Sequence, residues 1–325
     1  MRKLLHSQVR IALLGLAIAV ASMACAENPV PVESEPFKFA ELFPLREQLA
    51  EMSPLEPFKA RDGTELSFRR YKADSNVHAI LLHGSSAHSA YLHPFAKYLS
   101  SKNVANVYAL DMRGHGPHPK RRGDIDYIGQ LEEDIADLIG YIKAHAGGDG
   151  RFIVGGHSSG GGMALRFGGS KYGHLAGDVL LLAPYLGYSA PMVKKNAGGW
   201  ADPDTPRIFG ITVLNHLGIK RYNGEKVLRF NLPGKYHNGY ETLEYSFRLM
   251  NGMHPDDYKE SLRNMKSRLL ILVGTEDEAF HAAEFESGIL PYKPDARISY
   301  VEGGSHLGII MSEPAMEEAS RWITE

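Results

Sequence analysis

A single cysteine, Cys25, is present among 325 residues. It lies so near the start that a chain cleaved beyond it has no disulfide, no thiolate nucleophile and no cysteine-based metal site. An excess of one charge is missing too. Lys and Arg total 36 against 38 Asp and Glu, a formal net charge of −2, which argues against nucleic acid as the main partner. No apolar run approaches the roughly twenty residues that a membrane-spanning helix needs. No internal repeat is present. The glycine-rich stretch around Gly156 lacks both the Gly-Lys-Ser/Thr ending and the Gly-x-Gly-x-x-Gly spacing of phosphate loops. His115 and His118 stand close together, but no Asp/Glu pattern joins them. Neither a metal nor a cofactor is expected.

The opening residues carry a targeting pattern. Arg2, Lys3 and Arg10 precede an apolar run over residues 11–20, and Ala24-Cys25-Ala26 follows as a small-residue cleavage site. That order reads as a secretory signal peptide over residues 1–26 and a periplasmic or secreted protein. The alternative is a lipoprotein signal with Cys25 as the lipidated first residue. Ser22 and Met23 stand where such signals usually carry a leucine and a small residue, so simple cleavage is preferred. Residues 27–57 hold six prolines, from Pro29 to Pro57, among charged side chains. They read as a linker, with a short amphipathic helix around residues 39–52.

Asp62-Gly63, between residues 58–61 and 64–71, is a hairpin signal. Strands then alternate with helices. Apolar runs at 77–82, 106–110, 152–154, 178–183, 268–273 and 296–301 read as strands. Segments near 94–100, 127–145 and 279–286 read as helices. In the second of these, Ile128, Leu131, Ile135, Leu138, Ile139 and Ile142 fall at helical spacing. Apolar strands that do not alternate are buried on both faces, so the class is α/β with a mainly parallel sheet covered by helices. The rhythm breaks over residues 185–266, too long for a structureless loop. An inserted helical cap over the active site is the expected account, between core segments 58–184 and 267–325.

The core carries a reaction motif. Gly156-His157-Ser158-Ser159-Gly160 follows a short strand and opens a helix, the setting of the nucleophile elbow Gly-x-Ser-x-Gly. Side chains at the two glycines of so tight a turn would collide with the neighbouring strand and helix. Ser158 is the nucleophile rather than Ser159, because only Ser158 has a glycine two residues away on both sides. A serine needs a base, and the base needs a group that holds its tautomer. Two loops leave later strands: one offers Asp277, with Glu276 and Glu278 as alternatives, and the other offers His306 beside glycines. Asp277 also has a plain reading as a helix N-cap. The oxyanion needs two N–H donors. Ser159 N–H supplies one, and the loop His83-Gly84-Ser85-Ser86 supplies the other from Ser85, with Ser86 as second choice. His83 and His157 read as packing or hydrogen-bonding residues beside the elbow.

On these segments, residues 58–323 resemble the α/β-hydrolase superfamily, and within it the monoacylglycerol lipase, lysophospholipase and serine-aminopeptidase-like group. The resemblance rests on Leu82-His-Gly-Ser85, Ala109-Leu-Asp-Met-Arg-Gly-His-Gly116, Gly156-His-Ser-Ser-Gly-Gly161, Leu181-Leu-Ala-Pro184, Gly274-Thr-Glu-Asp277 and Gly304-Ser-His306. It implies an eight-stranded sheet, a cap after the sixth strand, no cofactor and hydrolysis through an acyl-enzyme. One departure stands out. The Arg-Gly-His-Gly loop commonly continues x-Ser, whereas Pro117-His118 follow here. That loop is expected to shape the pocket mouth, so the departure bears on substrate size and polarity and not on the chemistry.

The expectation is an exported serine hydrolase of carboxylic esters, lipase- or lysophospholipase-like, acting on a small-molecule ester or lipid. Peptide or amide hydrolysis is the rival, with Glu241 or Glu244 receiving a free amine. A catalytically inactive binding module is a third reading, opposed by the completeness of Ser158, Asp277 and His306. The cap is basic, with Lys194, Lys195, Arg207, Lys220, Arg221, Lys226, Arg229 and Lys235 against Asp202, Asp204 and Glu225. It can meet an anionic membrane surface, or it can be an ordinary solvated face.

Overall fold

A computed structural model describes residues 35–42, 48, 51–145, 150–194 and 199–325. The targeting segment with Cys25, much of the linker, and Lys195 lie outside the described residues. Strands β1 (Leu55–Lys59) and β2 (Glu65–Tyr71) form the antiparallel hairpin, turned at Gly63 with φ +80°. Then come β3 (Val77–Leu82), α1 (His93–Ser101), β4 (Asn106–Asp111), α2 (Gln130–His145), β5 (Arg151–His157), α3 (Ser159–Gly168) and β6 (Asp178–Leu182). The insertion follows, with β7 (Ala201–Pro203), α4 (Thr205–His216), β8 (Lys226–Phe230), β9 (Glu244–Ser246), α5 (Phe247–Gly252) and α6 (Tyr258–Asn264). The core closes with β10 (Arg268–Gly274), α7 (Glu284–Ile289), β11 (Arg297–Val301) and α8 (Glu313–Thr324).

The main sheet has eight strands in the order β1-β2-β4-β3-β5-β6-β10-β11, antiparallel at β1/β2 and β2/β4 and parallel elsewhere. Its central strands are apolar on both faces because helices cover both. Leu81, Val154, Leu181 and Ile271 are all fully buried, and each such side chain contributes about 1.5–3 kcal/mol relative to exposure. The chain steps from β3 outward to β4, then returns to β5 on the other side of β3. The carboxyl ends of β3 and β5 therefore flank a topological switch point, where ligands bind in open α/β sheets. Leu82 and Gly156 are register partners across that gap, so the loops carrying Ser85 and Ser158 leave the sheet side by side.

Three local departures from the sequence expectations have physical causes. Helix α2 starts at Gln130 rather than near residue 127, because Gly129 takes φ +107° and Tyr127 and Ile128 stay exposed. Helix α7 starts at Glu284 rather than 279. The intervening residues pair with the entry to the insertion instead: Val193 bridges Phe280, Lys194 N–H donates to Ala279 O, and His281 N–H donates to Met192 O. Of the helix expected around residues 39–52, the described part shows a 3₁₀ turn at Phe39–Leu42 and a separate turn in which Glu51 N–H donates to Gln48 O at 2.9 Å. The insertion after β6 holds helices as expected, and also a three-stranded antiparallel sheet, β7-β8-β9. Those strands are of three and five residues, too short to show an alternating pattern in sequence.

Candidate active site

Ser158 stands between β5 and α3 with φ 54° and ψ −121°. A non-glycine residue holds such a backbone only when its surroundings over-determine it. Here the flanking glycines do so. A Cβ on Gly156 would lie 2.4 Å from Gly160 O, and one on Gly160 would lie 2.3 Å from Leu82 O. The turn closes this tightly only because both positions lack a side chain. Ser158 N–H donates to Leu182 O at 3.0 Å and Ser158 O accepts from Gly162 and Tyr185 N–H, so the backbone is tied into β6 and α3.

His306 and Asp277 meet it. Ser158 Oγ lies 3.1 Å from His306 Nε2, and His306 Nδ1 lies 2.9 Å from Asp277 Oδ2. Asp277 Oδ1 accepts Ala279 N–H at 2.8 Å and Phe280 N–H at 2.9 Å. The capping reading of Asp277 is thus realised by one carboxylate oxygen while the other faces His306. Burial pushes the Asp277 carboxyl up, but the imidazole and the two N–H groups outweigh it and hold it below its usual range. The alternative acids are used differently. Glu276 pairs with Lys38 Nζ at 3.2 Å, and Glu278 accepts His306 N–H at 2.7 Å and Lys38 N–H at 3.3 Å.

The loop after β3 has three consecutive N–H groups, and elimination picks out one. Gly84 N–H donates to Tyr91 Oη at 3.2 Å and Ser86 N–H to Tyr245 Oη at 3.0 Å. Among the described residues only Ser85 N–H, of the three, has no partner. Ser85 Oγ donates to Ser159 Oγ at 3.0 Å, drawing the loop to the start of α3. Ser159 N–H heads that helix, where no intrahelical acceptor exists and the helix dipole favours negative charge. Ser86, the second choice for the oxyanion, has its N–H committed to Tyr245.

His83, His115 and His157 form the buried frame beneath. His157 Nε2 donates to His306 O at 2.8 Å and its Nδ1 accepts from Tyr91 Oη. His83 Nδ1 donates to Gly84 O at 2.9 Å while Nε2 accepts Met112 N–H at 3.2 Å. His115 Nδ1 donates to Arg113 O at 3.2 Å, and Nε2 accepts from Tyr245 Oη at 2.6 Å. Each ring is satisfied as the neutral tautomer, and burial lowers the pKa of His157 to about 3 and of His83 to about 4. The commitments of both His115 nitrogens leave it no free lone pair for a metal. Arg113 of the same loop forks onto Asp134 at 2.7 and 2.8 Å and reaches Asp62 at 2.9 Å, fastening the loop to α2 and the hairpin.

A cavity of about 630 Å³ opens on Ser158 and His306. Phe37, Phe39, Leu42, Trp200, Leu232 and Tyr236 give it an apolar wall, and His88, Asn238, Glu241 and Arg69 supply polar lining. Residues 113–118 do not line it, so the Pro117-His118 departure does not shape this mouth. The sequence reading missed Tyr91, which lies 66 positions from His157, and Tyr245, which lies 159 positions from Ser86 and 130 from His115. It also missed Phe37 and Phe39, hidden in a proline-rich stretch. No spacing rule connects any of these to the elbow.

Comparison with known proteins identifies the family and the fold. Residues 74–313 match the model of the family described as serine aminopeptidase, S33. Lipase LipV of Mycobacterium tuberculosis is 25% identical over 189 residues, covering 52% of this chain and 68% of that protein. A monoacylglycerol lipase of Mycolicibacterium smegmatis is 34% identical over 101 residues, 31% of this chain and only 35% of that enzyme. The crystal structure of Paleococcus ferrophilus monoacylglycerol lipase superposes with a TM-score of 0.59 at 19% identity, covering 80% of this chain and 97% of that one, a likeness of fold. The chain belongs to the serine aminopeptidase S33 family and is an α/β-hydrolase of the lipase and esterase type.

Proposed function

We propose that the protein is a serine hydrolase that cleaves carboxylic esters bearing an apolar chain, through an acyl-enzyme. The observation that carries this is the pair of contacts at 3.1 and 2.9 Å joining Ser158, His306 and Asp277, at the floor of an apolar-walled cavity. Ser158 Oγ attacks the ester carbonyl as its proton passes to His306 Nε2. Asp277 holds the Nδ1–H tautomer and stabilises the imidazolium. Ser85 and Ser159 N–H groups receive the oxyanion. The tetrahedral intermediate then expels the alcohol, which takes the proton from His306. Water, deprotonated by His306, attacks the acyl-enzyme, and Ser158 leaves with the proton as the acid is released.

The test is hydrolysis of p-nitrophenyl esters of increasing chain length beside aminoacyl-nitroanilides, for the wild type and Ser158→Ala. Ester turnover that disappears in the variant is expected. Activity on the anilides alone would transfer the assignment to amide hydrolysis. One feature favours that second reading: Glu241 lines the cavity. Its carboxylate already accepts Asn238 and Gly239 N–H, so it braces its own loop, which weighs against a role as amine receptor. Glu244 pairs with Arg229 at 3.1 Å.

Contact with an anionic membrane is a narrower proposal than the basic cap implied. Lys194 donates to Asp277 O, Lys226 to Arg122 and Gly123 O, and Arg207 to Lys226 O, while Lys235 pairs with Glu35. Lys194 and Lys226 hold the cap to the core, Lys235 holds it to the N-terminal segment, and Arg207 braces the cap internally. The supporting surface is instead α4, which exposes Phe209 and Val213 at helical spacing and is continued by exposed Leu217 at its C-cap, with Lys220 and Arg221 just beyond. Export belongs to the same proposal: mass analysis of protein recovered from the periplasm should begin after Ala26, and a diacylated Cys25 would replace it with the lipoprotein reading.

A further inference from the structure

We propose that residues 37–42, which precede the whole α/β core, are part of the active site. In this account Phe37 positions the His306 ring, and Phe39 with Leu42 forms the wall along which the apolar chain of the substrate lies. The proposal rests on the ester-hydrolase reading above.

The strap is fastened to both loops that carry the reacting groups. Lys38 Nζ pairs with Glu276 at 3.2 Å, and Lys38 N–H donates to Glu278 Oε1 at 3.3 Å. Glu278 Oε2 meanwhile accepts the N–H of His306 at 2.7 Å. One carboxylate therefore joins the strap backbone to the histidine backbone. Glu41 accepts from Ser305 Oγ, one residue before His306. On the cap side, Tyr236 Oη donates to Glu35 at 2.9 Å. The anchors come from Lys38 and Glu41, while Phe37 and Phe39, only 4% and 2% exposed, point inward.

Those rings meet the site. Phe37 stacks on His306 with centroids 4.8 Å apart and planes at 25°. Phe280 meets the same imidazole edge-on at 5.2 Å, and His157 lies 4.8 Å away. Removal of Phe37 leaves one face of the imidazole unsupported. Phe39 packs on Trp200 at 5.5 Å and on Tyr236 at 5.2 Å, both from the cap. Phe37, Phe39 and Leu42 all line the cavity that holds Ser158. The strap walls that cavity without filling it, and the Ser158–His306 contact stays intact beneath, so a plug does not describe it. Phe37, Phe39, Leu42 and Trp200 present a continuous apolar wall, which favours an alkyl chain laid along it, while Arg69, His88 and Glu241 form the polar part of the same cavity.

The test uses the full chain with Phe37→Ala, Phe39→Ala or Phe39→Trp, assayed on p-nitrophenyl esters from butyrate to palmitate. Circular dichroism and thermal unfolding of each variant check that it is folded. For Phe39→Ala, the ratio of kcat/KM for long over short esters should fall by about tenfold or more, mainly through KM, as loss of apolar pocket contacts implies. Phe39→Trp keeps an aromatic ring but narrows the wall, so the preferred chain should shorten by about two carbons or more. Loss of folding cannot produce that shift. Phe37→Ala should lower kcat for every ester, and Phe37→Tyr should restore it. An unchanged chain-length profile in both Phe39 variants overturns the proposal. A rise in rate for all esters also overturns it, since that marks the strap as a plug. Absence of ester turnover in the wild type would instead remove the function on which the proposal rests.

Discussion

The Tyr245 hydroxyl accepts the Ser86 N–H at 3.0 Å, and that bond separates two adjacent donors beside the candidate nucleophile. A residue of the cap thereby sets the conformation of a loop in the core. Ser86 sits at φ 65°, a backbone state that needs such support. In Tyr245→Phe, Ser86 N–H and His115 Nε2 both lose their partner. Buried groups left unpaired cost about 1–3 kcal/mol. Thermal unfolding should show that loss, and kcat should fall about tenfold or more as the Ser85 donor drifts. An unchanged kcat would place Tyr245 outside the oxyanion machinery.

Ser85 acts through its backbone in this account, so the two substitutions at that position should diverge. Ser85→Ala keeps the N–H and loses only the bond to Ser159 Oγ. Ser85→Pro removes the donor. Loss of one oxyanion donor costs about 10²–10³ in kcat, against a change of about threefold or less for the alanine variant. Steady-state kinetics on a short ester separates them, with circular dichroism as the check on folding. Equal losses would move the donor elsewhere.

The buried histidines predict how stability depends on pH. Burial lowers His157 to about 3, His83 to about 4 and His115 well below its ordinary value. In the unfolded chain each titrates near about 6.5. Below that pH the unfolded chain binds more protons than the folded one, so stability is lost as pH falls. Each ring contributes a slope of about 1.4 kcal/mol per pH unit. The urea midpoint should therefore be level near neutral pH and drop steeply from about pH 6.5 to about pH 5, above the range in which ordinary carboxylates titrate. A midpoint that stays level across that interval contradicts the neutral, buried assignment.

The apolar stripe of α4 predicts surface binding. Phe209 is 66% and Leu217 62% exposed. Phe209→Ser with Leu217→Ser should reduce sedimentation with phosphatidylglycerol vesicles by several-fold while soluble short-ester turnover is kept. Neutralising Lys220 and Arg221 should add to the loss and remove most of its salt dependence. Equal sedimentation of all variants would make this stripe an ordinary surface.

Much of this was legible in the chain, and what was not has a common cause. Strands such as Val77–Leu82 and Arg268–Gly274 announce themselves because burial on both faces demands uninterrupted apolar residues. Gly156 and Gly160 announce the elbow because no other residue fits them. Asp277 and His306 follow from their place after strands, and the structure brings both to Ser158. Tyr91, Tyr245 and Phe37 were hidden because each acts across a long sequence separation, through a single hydroxyl or ring that leaves no local pattern. The short strands β7 and β9, of three residues each, were hidden for want of length. Helix α7 was misplaced because the tertiary pairing of Phe280 with Val193 overrides local propensity.

The central claim is that Ser158 is acylated during turnover. Rapid acid quench of the protein with a p-nitrophenyl ester, followed by trypsin and mass spectrometry, reads this directly. The peptide spanning residues 152–166, which holds both Ser158 and Ser159, should gain the mass of the acyl group. Fragmentation should place it on Ser158, and Ser158→Ala should abolish both adduct and turnover. An adduct on Ser159, or turnover that survives in Ser158→Ala, would contradict the account.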